Sequence, residues 1–304
     1  MTRLIITILL FTFPGIVIAG EAKASVPANG LPNSKVSFRG KFTSTQAMKA
    51  IFGNIDSAGV SKWSPSDICN KESLRPGATI KKSTDDDEGM QDAYLNSFMN
   101  TINAADSANT AEGYAVLKAK ENGKDYVYFV IETELSFCLA CSALISTTKW
   151  ESVHDEWHIV NSSLCLAPMG NAGGYEGPVK LVKTGDEKYS LIFHENHDDW
   201  GQTLIASPDL HGGWQVSFNQ ATNNGNTQGR SSCANAKLMG LKAVCWKYTS
   251  DITFVKGADI AHYDLIQTTS GTTEVNKKIV PYNHKFIYLY KEGRYLQGES
   301  PLAK

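Results

Sequence analysis

The chain has 304 residues, 42% hydrophobic and 10% aromatic, with Lys+Arg 29 against Asp+Glu 31 and a formal net charge of −2. That balance excludes a wholly disordered, collagen-like or multi-pass membrane protein. With no basic excess, the chain also lacks the electrostatic footprint of a nucleic-acid binder.

In chain order, Met1-Thr-Arg3 is a short positive start, and Leu4 to Ile18 runs without a charge, broken only by Pro14-Gly15. Such a stretch has the length of a secretory signal core and is short for a bilayer span. Val17-Ile18-Ala19 and Ala22-Lys23-Ala24 offer small-residue cleavage sites, the second with the better Ala-x-Ala form. Residues 1–24 are therefore expected to be removed as a signal peptide, leaving a periplasmic or secreted protein. No cysteine precedes Cys69, so a lipid anchor at the cleavage site is not expected, and no later run is apolar enough for a membrane span.

Export changes how the six cysteines are read, because an oxidising compartment favours disulfides over thiols or metal ligands. Spacing favours Cys233 with Cys245 and Cys138 with Cys141, which leaves Cys69 for Cys165, although six cysteines allow 15 pairings.

Residues 25–110 are expected to be a partly helical region. Residues 25–42, rich in Pro, Gly, Ser and Asn, read as an extended lead-in. Residues 44–53 have helical character, with Ser44 as a cap and Gly53 as the stop. Asp85-Asp86-Asp87-Glu88 precedes Met90, Ala93, Tyr94, Phe98, Met99 and Ile102 at helical spacing, and acidic residues at a helix start complement its dipole.

Residues 111–304 have a different texture. Asn122-Gly123 separates two β-prone runs, the strongest short-range hairpin signal. A second hairpin is expected around Thr184-Gly185-Asp186, followed by strands at 202–207, 213–218, 243–255, 260–269 and 285–290, the last turning through Lys291-Glu292-Gly293-Arg294 into Tyr295-Leu296. Many short strands punctuated by Gly or Asn predict a mainly β body: a hairpin-rich sandwich, an irregular barrel or a small propeller.

Several segments carry chemistry-bearing residues. Cys138-Leu-Ala-Cys141 has redox-dithiol spacing, but a hairpin precedes it where a thiol oxidoreductase has a strand–CxxC–helix unit. His154-Asp-Glu-Trp-His158 lacks the zincin order, and its strand-like flanks make it a hairpin tip; in a strand its imidazoles stand roughly 13 Å apart. His194-Glu-Asn-His197-Asp198-Asp199-Trp200-Gly201 gathers the densest set of side chains able to ligate, at the end of a strand, without an EF-hand pattern. The common phosphate-loop, nucleophile-elbow, zincin and dinucleotide motifs are missing from the sequence. No cofactor and no metal are expected.

Ser207-Pro-Asp209-Leu-His211-Gly212-Gly213-Trp214 resembles the Asp-box turn, S-x-D-x-G-x-x-W, that joins adjacent strands in sialidase-type propellers. Ser207, Asp209 and Trp214 match; His211 stands where the motif has glycine. The resemblance covers eight residues and implies a propeller-like hairpin. The activity is not carried over, because a sialidase needs an arginine cluster and the chain after the signal has only Arg39, Arg75, Arg230 and Arg294.

Five of six tryptophans (Trp150, Trp157, Trp200, Trp214 and Trp246) fall in the β-rich part, and exposed Trp stacks on sugars or anchors protein partners. Trp200, Trp214, His194, His197, Asp198 and Asp199 are the candidate binding residues; no catalytic residue is assigned. The expected function is an exported, non-catalytic binding protein on a disulfide-braced β scaffold. Its expected partner is another exported or envelope protein, with no nucleic acid. The alternatives are an exported hydrolase acting on glycans or cell-envelope material and, behind it, a thiol–disulfide protein using Cys138 and Cys141.

Overall fold

The computed structural model describes residues 36–62, 110–134, 142–170, 174–196, 200–209, 212–225, 232–240, 244–257 and 261–298. These form a mainly β body of two antiparallel sheets, the second curling into a half-barrel. The expected helix over 85–102 and the cysteines Cys69, Cys138 and Cys141 lie outside the described residues.

Sheet 1 holds β1 (Ser37–Arg39), β2 (Ser61–Lys62), β3 (Thr110–Glu121), β4 (Lys124–Glu134), β5 (Ala143–Val153) and β6 (Glu156–Met169), in the order β1-β6-β5-β4-β3-β2. Sheet 2 is a meander of β7 (Val179–Gly185), β8 (Lys188–Asn196), β9 (Trp200–Pro208), β10 (Trp214–Gly225), β11 (Lys247–Val255), β12 (Asp264–Val275), β14 (His284–Lys291) and β15 (Arg294–Gln297). A short β13 (Lys278–Pro281) pairs with β12 beside it. Two helices accompany the sheets, α1 (Ser44–Phe52) and α2 (Ser232–Leu238).

Turn chemistry makes the meanders. Asn122-Gly123, His154-Asp155, Asn276-Lys277 and Glu292-Gly293 each have positive φ at both turn positions. This is the two-residue turn whose twist matches that of the flanking strands. The His154–His158 segment is accordingly a hairpin tip, as its flanks predict.

Strand alternation distributes three cores. On β4, Val127, Phe129 and Ile131 face one way, packing with Phe42, Met48 and Ile51 around α1 and with Trp150 and Ile159. Tyr128 and Val130 face the other way, packing against Leu191, Phe193, Leu204, Ala206 and Trp214 of sheet 2. On β8 and β9, Ile192 and Ile205 turn away from sheet 1 into a third core with Phe218, Leu265, Tyr288 and Tyr295, which the curled C-terminal strands close. A bulge helps β10 serve both layers: the register steps from Val216↔Ala206 to Phe218↔Ile205, so Trp214 and Val216 face sheet 1 and Phe218 faces the half-barrel. The extra residue bends the strand and re-aims its side chains.

Two local expectations are corrected. The cap of α1 is Thr43, whose Oγ1 accepts the Gln46 amide at 3.2 Å, and Ser44 is the first helical residue. The 25–42 lead-in contains β1, which pairs with β6 from Ser37↔His158 to Arg39↔Glu156. Three residues are too few to show period-two patterning, and the pairing is long-range. The Cys233–Cys245 disulfide is formed, tying α2 to the start of β11. Cys165 is also disulfide-bonded, its partner lying outside the described residues.

Candidate binding site

The structure separates the sequence-nominated residues. Trp200 opens β9 and is 41% exposed, whereas Trp214, at the far end of the same hairpin, is buried against the Tyr128 ring at 5.8 Å. Pairing places Trp200 opposite Asn224 and Trp214 opposite Pro208, roughly 25 Å apart at the usual strand rise. His194 lies near the Trp200 end. Its Nδ1 is 2.8 Å from Thr203 Oγ1, and burial, followed by the Lys180 charge, pushes its pKa down. His197, Asp198 and Asp199 lie outside the described residues. Among the described residues no group of three or more His, Cys, Asp or Glu is placed to hold a metal ion.

The Asp-box-like segment is a clamp between sheets. Asp209 Oδ1 accepts the Gly213 amide at 2.8 Å, and the Asp209 amide donates to the Gly213 carbonyl at 3.0 Å. Asn161 of β6 donates through Nδ2 to the carbonyls of both residues at 3.1 Å. The Ser162 amide donates to Gly212 O at 2.8 Å. The turn therefore docks the β9–β10 hairpin onto sheet 1.

Two polar clusters lie inside the sandwich. At one end Glu132, 7% exposed, accepts the Tyr175 amide at 2.6 Å. Burial raises its pKa to about 7; that hydrogen bond opposes the shift, and Glu112, Glu134 and Glu176 add to it. The Tyr175 hydroxyl lies within hydrogen-bond distance of the carbonyls of His194 at 3.0 Å and Pro178 at 3.2 Å, fastening the segment that enters sheet 2. At the other end Glu121 accepts from the Tyr128 hydroxyl and from Lys149 Nζ. Both clusters are internally bonded and belong to the scaffold.

A surface cleft of about 620 Å³ opens between the Gly40–Phe42 segment and the strands of sheet 1, lined by Lys41, Lys118, Asp125, Asp155, Tyr126 and Trp157 among others. The four charged residues are exposed, so they remain in high dielectric and exert little directed force on a ligand.

The stronger feature is a row of rings on the C-terminal half-barrel. Trp246 and Tyr248 stack at 6.2 Å, Tyr248 meets Tyr282 at 4.7 Å, Tyr282 meets His284 at 4.4 Å, and His284 stacks on Phe286 at 5.8 Å. Phe286 packs on the third core and anchors the inner end; His284 is exposed, and Trp246, Tyr248 and Tyr282 are half-buried.

Gly271 allows the row to close. It pairs with Tyr248, accepts the Tyr282 amide at 2.9 Å and has φ +139°. A Cβ there would run into Lys247 O and the Tyr248 backbone, so the two tyrosines meet across a strand only because this position has no side chain. Beyond Trp246 the disulfide leads to α2, where Leu238 is 85% and Met239 67% exposed. Sequence reasoning passed over the row, whose signal is the spacing of two in Trp246-x-Tyr248 and Tyr282-x-His284-x-Phe286.

No protein-family model, no curated protein and no solved structure matches the chain. No helix among the described residues is long and apolar enough to cross a membrane.

Proposed function

We propose that the chain is an exported, non-catalytic binding protein that holds a component of the cell envelope or extracellular space on the aromatic row. The single observation that carries this reading is the row itself: five rings in consecutive contact, anchored at Phe286, with His284 exposed and Trp246, Tyr248 and Tyr282 half-buried. Rings of this kind present large contact area at low conformational cost, and Trp and Tyr dominate binding hot spots. The signal-like pattern over Met1–Ala24 supports export, and the Cys233–Cys245 bridge is compatible with an oxidising compartment.

A pull-down from the exported fraction tests this reading, with the wild-type chain beside a Trp246→Ala/Tyr282→Ala variant of equal thermal stability. Retention of a defined component by the wild type and its loss from the variant is the expected result. Equal retention by both, or a native chain that still carries residues 1–24 inside the cell, overturns the reading.

A further inference from the structure

The strands that carry the ring row have a second face. On β11, Ile252 and Phe254 turn into the third core, as do Phe286 and Tyr288 on β14, so Asp251, Thr253, Val255, Lys285, Ile287 and Leu289 point the other way. Pairing aligns these residues in rows across β12: Asp251, Thr268 and Lys285 in one, Thr253, Ile266 and Ile287 in the next. At the following level Val255 pairs with Asp264, and Leu289 with Leu296 of β15. Val255 is 45%, Leu289 36% and Leu296 50% exposed, and Ile266 and Ile287 are half-buried. A contiguous apolar group on the outer face of an antiparallel sheet marks an interaction surface. Asp251 and Lys285 are exposed on either side of Thr268, two strand spacings apart, roughly 10 Å. Neither has an ion-pair partner among the described residues.

We infer that this face binds a second copy of the chain about a two-fold axis running along β12. The axis exchanges β11 with β14, so Asp251 of each copy meets Lys285 of the other, Thr253 meets Ile287 and Val255 meets Leu289, while Ile266 lies against its own counterpart. A partner of a single charge sign would set a like charge against Asp251 or against Lys285; a second copy complements both. The other charged groups of these strands lie outside the rows, Lys247 and Glu274 beyond Asp251, and Lys291, Glu292 and Arg294 beyond Leu289. Asp264, on the axis, turns its carboxylate toward Gly257, past the end of β11. Exposed ion pairs add little affinity and fix register. The apolar rows therefore supply the attraction, and a face this small makes a dimer that dissociates on dilution. The ring row faces the opposite way and stays open in both copies.

Sedimentation velocity of the disulfide-intact chain over a concentration series tests this, with circular dichroism to establish that each variant is folded. The expected result is a monomer–dimer equilibrium in the wild type. Leu289→Lys should raise the dimer dissociation constant at least tenfold, and Asp251→Lys or Lys285→Asp should raise it several-fold. Asp251→Lys combined with Lys285→Asp should bring it back close to the wild-type value, because the swapped charges meet again across the axis. Should Leu289→Lys fail to fold, Leu296→Lys, at a more exposed position, carries the same test. A wild type that stays monomeric throughout, a dimer unmoved by Leu289→Lys, or a double swap as weak as either single change overturns the inference. So does a monomeric wild type that retains a different protein through this face, lost in Leu289→Lys.

Discussion

Lys149 reaches Glu121 inside the sandwich, Nζ to Oε2 at 2.6 Å, with both side chains almost sealed from water. Tyr128 donates to the same carboxylate, and the ammonium lies 4.2 Å from the centre of the Tyr126 ring. A buried pair of this kind is costly to break and cheap to replace, because removing one partner strands the other in low dielectric. Lys149→Met is expected to lower unfolding stability by about 3–5 kcal/mol, and Lys149→Met with Glu121→Gln to recover most of it. Urea unfolding of the four members of the cycle measures the difference. A double variant no better than the single would show that the pair itself supplies net stability.

Glu132 gives the fold a pH dependence of definite sign. Its folded pKa, about 7, lies above the ordinary glutamate value of 4.5, so between those values the folded chain holds a proton that the unfolded chain has released. The stability from protonated Glu132 is fully present below about 4.5 and is lost as pH rises through about 7. Glu132→Gln, which keeps an acceptor for the Tyr175 amide without the charge, is expected to remove this part of the decline. Urea midpoints of both proteins at pH 5 and pH 8 decide it: the variant gains on the wild type only at the higher pH.

The Cys233–Cys245 bridge spans 12 positions and tethers α2 next to the ring row. A closed loop of this size is worth about 2–4 kcal/mol through the unfolded chain. Cys233→Ser with Cys245→Ser should lower the melting temperature without loosening sheet 1. Hydrogen exchange locates the loss: increased exchange is expected in α2 and β11, with β4 and β5 unchanged.

Asn161 is expected to matter for sheet docking and not for ligand binding. Asn161→Ala removes two hydrogen bonds to the Asp209–Gly213 turn and leaves partly buried carbonyls without that donor, a cost of about 1–3 kcal/mol. Thermal unfolding should report the loss while affinity at the ring row stays unchanged. A large affinity loss would place the turn in the binding site.

The β-rich class and most hairpins were legible because turn chemistry is local. Asn122-Gly123 and Glu292-Gly293 announce their turns in two residues, and Gly53 stops α1 as its position suggests. The three-core arrangement is written in runs such as Val127 to Ile131 and Leu191 to Phe193, which do not alternate because both faces are covered. Read without the fold, such runs do not say what covers each face. Trp200 and Trp214 are both binding candidates in the sequence, yet one is exposed and the other core, a difference set by which end of the β9–β10 hairpin docks on sheet 1. The row was hidden for another reason: Tyr248 lies on β11 and Tyr282 in the connection between β13 and β14, and they touch only across Gly271, a contact that requires the β12 register.

Most strands of sheet 2 lie beside their sequence neighbours, so hairpin after hairpin can zip up with little loop entropy to overcome. Strand β1 stands outside that economy. Ser37 hydrogen-bonds Glu156 from 119 positions away, and β1 borders the aromatic cluster in which Phe38 and Phe42 meet Trp150. The β5–β6 hairpin must exist before β1 has an edge to join. In this order of assembly the first strand among the described residues is a late arrival, and a nascent chain completes sheet 1 only after β6 has been synthesised.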